Sequence, residues 1–285
     1  MPVNLLFVEG CGNDPVDAPI LLALLAGRPP VEMGGSKGSL KPKARDARGP
    51  GRRVEACYLR DRDFDTDPPD DRTVPTIDAH VDGHAGPVLG WRWCRHEIES
   101  YLIDPRIMAA ASGLAEERLV HEIFEAAAKL QVYGAARWAI GVVRRHIPVP
   151  GQLRTRPDHL QSDFALPVLS SSTEEWLAWA TRHAQRFQSA VATALSAADI
   201  DAEFQTHLEQ LVVPPVGLRE GSLDDVLTWY PGKELMAALD VTVYQSFADN
   251  PTVLRRRLRD WIRNNPDAAL AIFPEWQSLV TLLRA

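Results

Sequence analysis

"RRVEACYLRDRDFD", residues 52–65, is an apolar run that breaks into acids. It reads as a strand whose last side chains are charged. Side chains alternate across a strand, so Asp61 and Asp63 are expected on one side, with Asp65 in line if the strand persists. VNLLFVEG (3–10) repeats the design: a buried strand ends on Glu9, and Gly10 lets the backbone turn tightly beside it. VEM (31–33) is a short strand candidate before Gly34-Gly35, and GPVLGWRWCRHEIESYLI (86–103) reads as a fourth strand running into a helix. Between them lie DAPILLALLAG (17–27), a helix closed by Gly27, and DTDPPDDRTVP (65–75), a loop by its proline and aspartate content. Strands separated by helical or looped crossovers predict a parallel α/β sheet.

From about residue 105 the texture changes. Residues 115–147 carry apolar side chains at helical spacing and end in basic residues before Pro148. A proline-rich polar linker follows, then a helix over 172–195 that opens with a capping-box pattern. Further helices are predicted near 199–212, 232–248, 251–264 and 274–284. The expected organisation is an α/β unit over 1–108 and a mostly helical region over 109–285.

The 285 residues are 45% hydrophobic and 24% charged, enough for a packed core, and the net charge is −7. A polycation that coats nucleic acid is excluded; such contact must come from a local basic patch or through metal ions. No run approaches a membrane span. MPVNLLFVEG lacks the pattern of a signal peptide, and Cys11, Cys57 and Cys94 are too sparse for a disulfide framework, so a reducing cytoplasm is expected.

Asp61 and Asp63 stand where a strand stops, the edge at which parallel α/β sheets bind ligands. Alone, DRDFDTDPPDD is also a solvated acidic loop. Glu9 at an equivalent strand end, and Glu97 and Glu99 in RHEIESYL (95–102), favour convergence. Converging carboxylates repel one another unless a divalent cation neutralises them, and all-oxygen ligation suits Mg²⁺ or Mn²⁺ better than zinc.

Glu9-Gly10, Asp61-x-Asp63 and Arg95-His-Glu-Ile-Glu-Ser-Tyr-Leu102, in that order, resemble a Toprim domain. More narrowly the chain is similar to the overcoming-lysogenization-defect (OLD) type of Toprim nuclease. It also resembles the standalone Toprim subunit of PARIS-type antiphage systems, encoded beside a separate ATPase. The likeness covers residues 3–108 and continues more weakly to PGKELMAAL (231–239). It implies a Rossmann-like sheet of four parallel strands flanked by helices. Glu9 would be the general acid/base or a metal ligand, and Asp61 and Asp63 metal ligands. Glu97 or Glu99 would be the later acid, Asp14 stands near a second acid of the first loop, and Lys233 matches a lysine that stabilises phosphate charge. The implied activity is metal-dependent endonuclease cleavage of DNA or tRNA, regulated by an ABC-type ATPase, with a homodimer as one arrangement. A catalytically silent Toprim-fold binding or regulatory subunit is the alternative.

GGSKGSLKPKARDARGPGRR (34–53) reads as a basic, glycine-rich loop; Lys37, Lys41, Lys43, Arg52 and Arg53 are its candidates for a nucleic-acid backbone. Neither it nor Pro231-Gly232-Lys233-Glu234 forms a Walker A loop. His80, Asp82 and His84 read as surface residues of a loop, and Cys57 as core. A topoisomerase would need a tyrosine-bearing cleavage domain and a primase a zinc-binding cysteine set; neither is recognisable.

Overall fold

The structure, a computed structural model, describes residues 2–10, 15–49, 55–81, 86–145, 172–188, 197–214 and 223–285. The first part alternates: β1 (Leu5–Val8), α1 (Asp17–Leu24), β2 (Val31–Met33), α2 (Lys37–Ala47), β3 (Ala56–Arg60), β4 (Thr76–His80) and β5 (Val88–Arg92). Helices follow: α3 (Glu99–Leu102), α4 (Pro105–Ser112), α5 (Glu116–Arg145), α6 (Thr173–Gln188), α7 (Ala197–Gln210), α8 (Leu223–Trp229) and α9 (Gly232–Ala238). The last are α10 (Val241–Tyr244), α11 (Pro251–Asn264), α12 (Pro266–Ile272) and α13 (Pro274–Arg284). The expected α/β class holds: a five-stranded, mostly parallel sheet is flanked by helices and followed by a helical C-terminal part.

The sheet order is β2-β1-β3-β5-β4. The first four are parallel neighbours; β4 runs antiparallel to β5 with an irregular register. Four parallel strands match the expectation, and the antiparallel edge strand corrects the reading of His80 as a loop residue. TIDAH gives little alternation because its inward residues, Asp78 among them, are partly polar. Asp82 and His84 lie outside the described residues, as do Cys11 and the linker after Pro148.

Both faces of the sheet are covered, which explains the unbroken apolar runs. Along β3, Ala56 and Tyr58 join Phe7, Leu89 and the α2 residues Leu40, Ala44 and Ala47 in one cluster. Cys57 and Leu59 join Leu6, Val8 and Trp91 on the other face, in a core continuous with helices α1, α3–α5 and α9–α13. Cys57 is thus core, as expected.

Several boundaries differ from the sequence reading. Residues 37–47 form α2, not a loop: Leu40, Ala44 and Ala47 recur at helical spacing, and the helix runs through Pro42 in its interior at the cost of one i→i−4 bond. The strand at 52–65 stops at Arg60. Helix 232–248 is broken into α9 and α10 at Asp240, whose carboxylate caps the second piece by accepting from the Thr242 N–H. Three further helices, α4, α8 and α12, fall outside the segments the sequence pattern marks as helical. α11, α12 and α13 each open with proline, whose missing N–H costs nothing at a first helical position. No helix among the described residues is long and apolar enough to cross a membrane.

Candidate metal centre at the strand ends

The chain passes from β1 to β2 on one side and returns to β3 on the other, so the sheet order reverses between β1 and β3. Such a reversal opens a crevice beyond the carboxyl ends of the strands. Val8 pairs with Leu59, which sets Glu9 and Asp61 side by side at that crevice. The Asp61 N–H donates to Glu9 Oε1 at 3.1 Å. Gly10 has a φ of +144°, a conformation L side chains rarely adopt, and its N–H donates to Gly35 O at 3.1 Å. The expected turn beside Glu9 is therefore present.

After Arg60 the chain leaves the strand. Asp63 has a φ of +49°, a left-handed conformation that aspartate tolerates, and its N–H donates to His96 O at 3.0 Å. Asp61, Asp63 and Asp65 therefore do not share a strand face. Arg62 fixes this loop. Its fully buried guanidinium donates to Cys94 O (3.1 Å), Thr66 O (2.8 Å) and Thr228 O (2.6 Å). At the end of α5, Arg144 donates to Asp65 Oδ1 and Arg145 to Phe64 O, holding the same loop from outside.

Glu97 and Glu99 are both buried. Glu97 Oε1 accepts from the Lys233 backbone N–H at 2.8 Å, and Oε2 from Lys233 Nζ at 2.6 Å. Lys233 Nζ also lies 3.3 Å from Glu99 Oε2, and Arg255 Nη1 lies 3.4 Å from Glu99 Oε1. Gly232 makes this possible. A Cβ there would stand 2.2 Å from Ser100 N and 2.4 Å from Glu99 C, so only glycine lets α9 rest on α3. Lys233, from the helical part, thus joins the acids of the sheet edge, as does Glu97.

Lys37 opens α2 and pairs with Asp63 Oδ2 at 2.7 Å and with Asp65. Lys41 lines the adjoining cleft with Arg45, Tyr58, Arg60 and Asp78. Lys43 is exposed and outside that cleft. Asp14, Arg52 and Arg53 lie outside the described residues. Asp17, the first residue of α1, was not expected in the site but belongs to its electrostatics. Its only sequence signal is its position at the start of the helix that leaves the Glu9 turn.

Burial and mutual repulsion govern the acids. Desolvation, then Asp63, push Glu9 up to about 7. Desolvation, then Glu99 and Glu9, push Asp17 to about 8. Desolvation with Asp17 and Glu9 holds Asp61 well above the carboxylate range, and its Oδ1 has no hydrogen-bond partner. Burial takes Glu97 to about 7 against the pull of Lys233. Asp63 moves the other way: Lys37, by its charge and its hydrogen bond, outweighs desolvation and holds it ionised, with Lys233 adding to the pull. His96 itself is held neutral, by burial and by the neighbouring cations. The oxygen-rich donor set, with a buried unpartnered Asp61 oxygen, fits a hard divalent cation.

Comparison with protein-family models, with curated proteins and with solved structures returns no match.

Proposed function

We propose that this edge is a divalent-metal centre for hydrolysing phosphodiester bonds in DNA or RNA. One observation carries the reading: buried Asp61, Glu97 and Glu99 and half-buried Glu9 gather at a strand-reversal crevice, with more acid than Lys37 and Lys233 neutralise. Acids are kept in such repulsion where a cation compensates for it. Glu9, Asp61, Asp63 and one of Glu97 or Glu99 would hold Mg²⁺ or Mn²⁺, which when bound polarises a phosphate and lowers the pKa of an attacking water. Lys37 and Lys233 stand at the rim of these acids, where an ammonium can meet charge developing on a phosphate. Glu9, balanced near neutrality, can take or give a proton at its carboxylate. Lys41 and Arg45, exposed on α2, are placed to hold a nucleic-acid backbone.

The order of the motifs supports a Toprim-like nuclease of the OLD type. In this reading the chain is the effector of an antiphage system, restrained by a separate ABC-type ATPase that docks on the helical part. A silent regulatory subunit is the second reading, favoured by one feature: Lys37 and Lys233 already pair with Asp63 and Glu97.

The deciding experiment is cleavage of plasmid DNA and total tRNA with Mg²⁺, Mn²⁺ or EDTA. Wild type is compared with Glu9→Ala and Asp61→Ala, each with and without the product of any neighbouring ATPase gene. Metal-dependent cutting lost in both variants is expected. Folded protein that binds metal but never cuts selects the regulatory subunit.

A further inference from the structure

We propose that His96 joins Asp63 and Glu97 in a mixed nitrogen–oxygen ligand set, which makes the centre selective for a first-row transition ion such as Mn²⁺ over Mg²⁺. The inference deepens the metal-centre reading and rests on it for the position of the ion, not for the reaction.

His96 is 1% exposed, and neither ring nitrogen has a hydrogen-bond partner. A buried polar group left unpaired costs about 1–3 kcal/mol, so an unpartnered imidazole calls for a reason. The ring is held edge-on by Phe64, 4.5 Å between centroids, with Trp138 beyond it at 6.3 Å. These rings fix its direction without satisfying its nitrogens. Nδ1 lies 3.9 Å from Asp63 Oδ1. One ring nitrogen and one oxygen each of Asp63 and Glu97 lie within 4.8 Å of one another.

The hydrogen bonds around the three residues leave room for an ion. Lys37 holds Asp63 by Oδ2, so Oδ1 is the oxygen turned toward His96. Both Glu97 oxygens accept from Lys233, but a carboxylate has about four lone-pair sites, and accepting two bonds leaves others free. An ion can therefore bind without displacing either lysine. The Asp63 N–H bond to His96 O ties the two ligand segments together. Imidazole suits Zn²⁺, Fe²⁺ and the later first-row ions best and also binds Mn²⁺, the weakest of that series, whereas Mg²⁺ keeps to oxygen and water. A nitrogen at this position thus separates the two classes of ion where the carboxylates alone would not.

The test is pulsed electron paramagnetic resonance of Mn²⁺ added to the full chain. Wild type is expected to show the ¹⁴N modulation of a directly bound imidazole. His96→Gln, shown to be folded by its circular dichroism and melting curve, is expected to lose the modulation. It should bind Mn²⁺ at least about tenfold more weakly, with a smaller change for Mg²⁺. The wild-type spectrum alone decides the matter if the variant fails to fold. Absence of ¹⁴N modulation in wild type overturns the proposal, as does unchanged Mn²⁺ affinity in folded His96→Gln. The two readings separate cleanly. Modulation without cleavage of any nucleic acid keeps this ligand set and removes the hydrolytic function. Metal-dependent cleavage without modulation does the reverse.

Discussion

Two groups of partly buried charge flank the end of β3, and they are built on opposite rules. On the α2 side, Asp78 accepts from Arg60 Nε at 2.9 Å, from Arg60 Nη2 at 2.8 Å and from the Tyr58 hydroxyl, and it pairs with Arg92. Each charge there has a partner, and Asp78 is held below its ordinary range. On the crevice side, Glu9, Asp17 and Asp61 repel one another and are all pushed up. The first group acts as a brace for the sheet edge. The second is a cost to the fold, of the kind that gathers at functional sites.

The contrast can be broken from the matched side first. Asp78→Ala leaves Arg60 and Arg92 without their acid and should destabilise the protein by about 3 kcal/mol, the low end for a broken buried pair because these groups are partly exposed. Urea unfolding measures it. A loss under 1 kcal/mol would mean the network is ornamental.

Glu275 sharpens the contrast away from the crevice. It is buried, hydrogen-bonded by Tyr101 and the Cys94 N–H, and pushed from 4.5 to about 7, chiefly by desolvation. Because the folded pKa is the higher one, the unfolded chain ionises first as pH rises. Stability is therefore lost between about pH 4.5 and 7 and stays lost above, by on the order of 3 kcal/mol. Glu275→Gln should flatten that slope in a pH series of urea melts; an unaltered slope would assign it to other acids.

Asp61→Asn tests the unmatched side. In EDTA at pH 8 it should stabilise the chain by about 1 kcal/mol, since it removes an acid whose charged form is disfavoured first by burial and then by Asp17 and Glu9. With Mn²⁺ present the order should reverse, because wild type gains binding energy that the variant cannot. A variant less stable than wild type in EDTA would show that Asp61 supports the fold. The smallest effect belongs to the exposed rim. Lys41→Ala with Arg45→Ala should change stability by less than about 0.5 kcal/mol. The same pair should lower the salt slope of duplex-DNA binding by about 2. An unchanged slope would move the nucleic-acid path off α2.

The parallel sheet and the placement of Glu9 and Asp61 were legible because apolar runs that stop abruptly on acids mark strand ends. Lys233 was legible only through the family resemblance of PGKELMAAL, since neither composition nor spacing says that α9 lies on α3. α2 was hidden by its Gly, Ser, Pro and Lys content, although Leu40, Ala44 and Ala47 carried the helical period. Asp17 and His96 escaped notice for a common reason. Their importance lies in what surrounds them: acids from other elements for one, aromatic rings and two carboxylates for the other. Local sequence spacing carries no trace of either.

The reach of Lys233 has a consequence for the making of the protein. Its partner Glu97 lies 136 residues earlier, and the Glu275 bond to Cys94 spans 181. A ribosome must release most of the chain before either contact can form. The sheet edge can assemble its acids early, but the lysine and the helical wall that complete it arrive late. A nascent chain thus carries the acids of the sheet edge before the lysine and the helical wall that pack against them.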